Sequence, residues 1–102
     1  MPEPSQRQLE RHIRASAEDS SCLVLTKHAR LRMRQRRVSL QMLVETLQRG
    51  VLVRPPEPDM KHPGVLCRME RFVAGVNVAA VVYVEFPAPT LVVVTVIDLD
   101  GD

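Results

Sequence analysis

The stretch Val76-Asn77-Val78-Ala79-Ala80-Val81-Val82-Tyr83-Val84-Glu85-Phe86-Pro87-Ala88-Pro89-Thr90-Leu91-Val92-Val93-Val94-Thr95-Val96-Ile97-Asp98 decides the fold. Val76, Val78, Ala80, Val82, Val84 and Phe86 alternate along its first half. In the second half Val92, Val94 and Val96 share one parity, and Leu91, Val93, Thr95 and Ile97 the other. A period of two in β-branched residues predicts strands over about 76–86 and 90–98, with Pro87-Ala88-Pro89 as the turn. A third strand over 65–74 is predicted ahead of Gly75-Val76-Asn77, so sequential antiparallel hairpins are the simplest topology. Both faces are largely apolar. That suits a central strand covered by helices on one side and partly shielded on the other.

Upstream, Val51-Leu52-Val53 begins strand material, and Pro55-Pro56-Glu57-Pro58-Asp59 turns it into a loop that runs to Pro63-Gly64. Ser39 is an N-cap for a helix over 40–49, closed by Gly50, with Leu40, Leu43, Val44 and Leu47 on one face. Residues 27–37 predict a basic helix, and Leu23-Val24-Leu25 a small strand or lead-in. Over 5–18 only Leu9 and Ile13 form an apolar stripe, so residues 1–22 read as a weakly helical arm, either mobile or in need of a partner to dock. Residues 23–102 then form one domain ending in the acidic tail Asp98, Asp100 and Asp102. The predicted class is α+β, with N-terminal helices packed on a small antiparallel sheet of about four strands.

Composition narrows the function. At 102 residues the chain is one domain, too short for a cofactor domain plus a substrate domain. Aromatic residues are 3% with no Trp, which argues against a base-stacking RNA-recognition sheet. There is no Gly-rich phosphate loop and no G-x-S-x-G elbow. Cys22, Cys67, His12, His28 and His62 show no ligand-pair spacing, so neither a metal nor a cofactor is expected. The chain does not open on a signal-peptide pattern and has no apolar run of about 20 residues. The expected setting is the cytoplasm, away from membranes.

The charge is uneven. Residues 27–54 hold eight basic side chains against one acid, Glu45, and 12 of the chain's 14 basic residues are Arg. Arg suits forked recognition of phosphate, so the local excess points to an anionic partner. Within it, His28, Arg32 and Arg36 stand at i, i+4 and i+8, on one side of a helix. Two guanidinium groups on one stripe make poor core. Cleavage of RNA by its own 2′-hydroxyl needs a base, donors to the phosphorane oxygens and an acid for the leaving oxygen. His28 can move the proton and Arg32 and Arg36 can hold the phosphate, without a metal. Lys27, Arg30, Arg34 and Arg37 would widen the contact to nucleic acid. On the sheet, Arg68, Tyr83 and Thr95 are the polar groups best placed to line a face beside the helix. On pattern alone a solvated or ion-paired basic helix, with Arg32 and Arg36 held by Glu70, Glu85 or the tail, outweighs catalysis.

The run Thr26-Lys27-His28-Ala29-Arg30-Leu31-Arg32-Met33-Arg34-Gln35-Arg36-Arg37-Val38-Ser39 resembles the opening signature of a bacterial family catalogued only as a domain of unknown function, number forty-two fifty-eight. His28, Ala29, Arg32, Met33, Arg36, Val38, Ser39 and Gly50 fall in register with its pattern H-A-x-x-R-M-x-x-R-x-I-S. Arg68 near the start of the meander and Thr95 in a V-T-V strand also match. The resemblance covers about residues 23–98. It implies a distant relation to RelE- and BrnT-type toxins, in a fold group that includes metal-independent ribonucleases. It therefore implies a catalytic set of His28, Arg32 and Arg36 with Arg68 and Thr95 assisting. Arg37 stands where Gly is common, which weakens a left-handed helix cap.

The leading expectation is a metal-independent endoribonuclease of the RelE-like toxin type, acting on RNA and neutralised by an acidic antitoxin-like protein. The alternative is a non-catalytic module on the same fold that binds protein or nucleic acid. A third is a homodimer that buries the second sheet face through Val81, Val93 or Ile97.

Overall fold

The computed structural model describes residues 3–101; Met1 and Pro2 of the predicted arm and Asp102 of the acidic tail lie outside the described residues. Three helices pack against a single sheet. In chain order these elements are α1 (Gln6–Ser16), β1 (Leu23–Leu25), α2 (Lys27–Arg36), α3 (Leu40–Arg49), β2 (Val51–Leu52), β3 (Glu57–Pro58), β4 (Val65–Val73), β5 (Val76–Val84) and β6 (Leu91–Asp98). The α+β class is as the sequence predicts. The sheet differs: it is mixed, with six strands rather than about four, in the order β1-β6-β5-β4-β2, and β3 also pairs with β4. β1 runs parallel to β6 from Leu23 opposite Leu91 to Leu25 opposite Val93, while the other pairs are antiparallel. β1 and β2 lie where the sequence offers strand material, and β3 falls in the predicted loop; strands of two or three residues carry too little pattern to declare a partner.

The β4–β5 hairpin turns at Ala74 and Gly75, both at positive φ (52° and 82°). This two-residue turn matches the strand twist and brings Val73 opposite Val76, a little earlier than the predicted Gly75-Val76-Asn77. β6 contains a bulge. Thr95 pairs with Val81 but Val93 with Val82, so one residue of β6 is extra. The alternation expected of Val92, Val94 and Val96 is thereby broken. Leu91, Val93 and Val96 are buried beneath the helices, and Val92, Thr95 and Ile97 share the opposite face. Val93 is therefore core, not a surface for a second copy.

Each helix has its cap. Ser5 Oγ accepts from Gln8 N at 3.1 Å, Thr26 Oγ1 from Ala29 N at 3.0 Å and Ser39 Oγ from Met42 N at 3.1 Å. α3 buries Leu43, Thr46 and Leu47 against β4 and β5, but Leu40 of the predicted stripe is 54% exposed. Gly50 ends α3 in an extended conformation, and a Cβ there would lie 2.2 Å from Thr46 O.

The thin stripe of α1 is seated in the chain's own core, with Leu9 1% and Ile13 0% exposed. Polar side chains complete the docking. Gln6 Nε2 donates to Leu52 O at 2.8 Å, Glu10 Oε2 accepts from Leu52 N at 3.0 Å, and the Arg14 guanidinium donates to Gly50 O at 2.7 and 3.0 Å. α1 thus satisfies the outward backbone groups of the edge strand β2. Among the described residues, no helix is long and apolar enough to cross a membrane.

Candidate functional site

α2 follows β1 with one intervening residue, Thr26, whose amide donates to Val93 O at 3.2 Å. The Thr26 hydroxyl lies 3.1 Å from both Val93 O and Val94 O. Of the strands, α2 packs chiefly against β6, so it lies along the β6 edge that β1 is too short to cover. Ala29 and Met33 face that edge and are buried. At about 100° per residue, Arg30 and Arg34 flank them on one side, and His28 and Arg32 on the other. Arg30 and Arg34 line a groove with Leu25, Val38 and Leu40, on the side of the helix layer. The flank bearing His28, Arg32 and Arg36 is the one turned away from that groove.

The open face of the sheet, opposite Leu91, Val93 and Val96, carries Val92, Thr95 and Ile97 from β6, Ala79, Val81 and Tyr83 from β5, and Leu66, Arg68, Glu70 and Phe72 from β4, as the registers require. Thr95, Val81 and Arg68 form one row across three strands. Helical residues rise about 1.5 Å each and strand residues about 3.3 Å, so His28, two residues beyond Thr26, is level with Val94 and Thr95. His28, Arg32 and Arg36 thus share one flank of the helix that packs on β6, the strand that carries Thr95, with Arg68 two strands further in. His28 is exposed, and Arg32, Arg36, Arg68 and Thr95 are partly buried. Arg36 sits deepest because the i, i+4 stripe drifts about 40° per step toward the buried arc.

Lys27, Arg30, Arg34 and Arg37 are all exposed. They are not one surface: Arg30 and Arg34 occupy the far flank. Arg37 ends α2 at φ 57°, ψ 39°, so the left-handed cap is made by an arginine where glycine has no steric penalty.

Arg68 is engaged in the protein. Its Nε donates to Glu70 Oε2 at 2.8 Å, two residues along the same strand face. Glu70 thus has a partner on its own strand. Glu85 Oε2 accepts from the Tyr83 hydroxyl at 2.6 Å. Partial desolvation, then this contact, raises the phenol above its ordinary range, so Tyr83 stays a proton donor. Gly64 N donates to the same hydroxyl at 2.9 Å. His62 Nδ1 lies 3.0 Å from Asp59 Oδ2, and its ring stands edge-on to Tyr83 with centroids 5.9 Å apart.

Sequence reasoning undervalued this second group. Its signal was available: Tyr83 and Glu85 are two apart in a strand and therefore on one face. Among the described residues, no group of three or more His, Cys, Asp or Glu side chains is arranged to hold a metal ion.

No curated protein and no solved structure matches the chain. A family model does, over residues 25–98, from the last residue of β1 to the end of β6, leaving α1 outside. The chain therefore belongs to the family described as Domain of unknown function (DUF4258).

Proposed function

We propose that the chain is a metal-independent endoribonuclease of the RelE-like toxin type, acting where α2 borders the open sheet face. One observation carries the reading: α2, whose flank away from the Arg30 and Arg34 groove bears His28, Arg32 and Arg36, packs on β6, the strand of Thr95, in whose row Arg68 also lies. His28 takes the proton from the 2′-hydroxyl as that oxygen bonds to phosphorus. The bond from phosphorus to the 5′-oxygen breaks, and the proton returns to the leaving oxygen. Arg32, Arg36 and the Thr95 hydroxyl hold the phosphorane oxygens, and Arg68 joins them by exchanging Glu70 for phosphate. The exposed Lys27 and Arg37 extend the contact along the strand. An acidic antitoxin-like partner in the cytoplasm would cover this surface.

Labelled RNA incubated in EDTA with wild type and His28→Ala tests the reading, with folding checked by circular dichroism. Wild type is expected to leave 2′,3′-cyclic phosphate ends, and His28→Ala to slow cleavage by about 10²–10⁴-fold. Absence of cleavage by wild type, with translating ribosomes also supplied, overturns it. The short Arg68–Glu70 pair favours a second reading, a module that binds an RNA backbone without cleaving it. In that case Arg32→Ala weakens a salt-sensitive complex and no variant cuts.

A further inference from the structure

We propose that a pocket beside this site, between Tyr83 and the β5–β6 loop, holds one RNA base, and that Glu85 selects guanine in it. The inference rests on the ribonuclease reading for its substrate and adds what that reading lacks, a source of base preference. The pocket has a volume of about 290 Å³ and is lined by Tyr83, Glu85, Ala88, Thr90 and Val92. It offers one aromatic ring, aliphatic walls, a hydroxyl and a carboxylate. These are the components for a flat heterocycle with polar edges.

Its walls are fixed. Tyr83 is held at its hydroxyl by Gly64 N and Glu85 and at its ring by the edge of His62. Ala88 N donates to Glu85 O at 2.8 Å, and His12 Nε2 lies 2.8 Å from Ala88 O, so the loop is pinned both to itself and to α1. The Tyr83 hydroxyl takes one lone pair of Glu85 Oε2 and fixes the plane of the carboxylate, leaving Oε1 and the second lone pair of Oε2 to accept from a ligand.

The position fits one nucleotide step. Tyr83 pairs with Val92, and Val81, two residues along β5, pairs with Thr95. Two strand residues span about 7 Å, the reach of one nucleotide from a phosphate at Thr95 and His28. A carboxylate repels phosphate, so the base and not the backbone enters the pocket. An ionised carboxylate only accepts hydrogen bonds. Guanine presents two adjacent N–H donors, at N1 and the 2-amino group. Adenine and cytosine each set an acceptor beside their amino group, and uracil flanks its single N–H with carbonyl oxygens.

Calorimetric titration of the full chain with the 3′-monophosphates of guanosine, inosine, adenosine, cytidine and uridine tests this without any need for cleavage. Guanosine monophosphate is expected to bind at least about 10-fold tighter than the adenosine, cytidine and uridine compounds, with inosine between because it lacks the 2-amino donor. Glu85→Gln is expected to remove that preference and leave the other affinities within about 2-fold. Tyr83→Ala should weaken all five by about 5- to 100-fold. Equal affinities in wild type, or an equal loss of all five in Glu85→Gln, overturn the assignment. A guanosine preference in a protein that never cuts RNA leaves the pocket standing and removes the nuclease. Cleavage without any guanosine preference does the reverse.

Discussion

At the scale of single residues, two backbone positions are under a constraint that side-chain chemistry does not reveal. Arg37 holds φ 57°, where a Cβ crowds the backbone. Arg37→Gly is expected to raise stability by about 0.5–1 kcal/mol, read as a higher urea midpoint at unchanged slope. Gly64 is the opposite case. A Cβ there would meet Val84 O at 2.4 Å and the Tyr83 ring at 2.7 Å, so Gly64→Ala should cost about 1–3 kcal/mol and disturb the pocket under Tyr83. Burial pushes the Cys67 thiol up to about 11. With iodoacetamide at pH 8 the native protein should gain one label, at the partly buried Cys22, and a second only on unfolding. Asp59 is held below the ordinary carboxylate range by the Lys61 amide, then by the His62 side chain. Its contribution is present above the unfolded value near 4 and is lost as pH falls through the lower folded value, so Asp59→Asn should flatten that acid limb.

At the scale of elements, legibility follows the number of residues that report the pattern. Nine alternating residues made β5 readable, and Ser39 with Gly50 bracketed α3. The bulge in β6 was invisible because Val92, Val93 and Val94 are identical side chains, so a one-residue slip changes nothing in the sequence. β1 was legible as a short apolar run, but its parallel pairing with β6 was not. The docking of α1 was hidden for another reason: much of it is made by Gln6, Glu10 and Arg14, which read as surface charge until they meet the backbone of β2. Ile13→Ala should therefore cost about 2–5 kcal/mol, as for a central core residue, in a urea titration followed by circular dichroism. The His28, Arg32 and Arg36 stripe was legible as a stripe. Which side of the sheet it addresses was not, because that depends on α2 lying along an edge rather than over a face.

At the scale of the whole molecule, the polar and apolar sides are not the usual pair. The helices bury Leu91, Val93, Val82 and Met69 on one face of the sheet, while the other exposes Phe72 at 64% on the strand of the Arg68–Glu70 pair and Val24 at 47% on the far margin. A surface that mixes aliphatic area with arginine suits a single strand better than a regular duplex, whose bases are stacked inside. If RNA binds there, affinity should fall steeply with salt, and Arg32→Ala should reduce the slope of log K against log salt by about 0.7.

The two sheet margins have a further implication. A strand edge with free amides and carbonyls is a template on which another copy can extend the ladder. Here α2 runs along the β6 margin, and the side chains of α1 occupy Leu52 N, Leu52 O and Gly50 O at the β2 margin. α1 lies outside the part of the chain that matches the family model. Its polar side chains cap that margin while its apolar ones fill the core. A chain carrying Gln6→Ala, Glu10→Ala and Arg14→Ala keeps Leu9 and Ile13 in the core yet uncovers the β2 margin, and should lengthen into open-ended oligomers through β2, seen in light scattering as mass that grows with concentration.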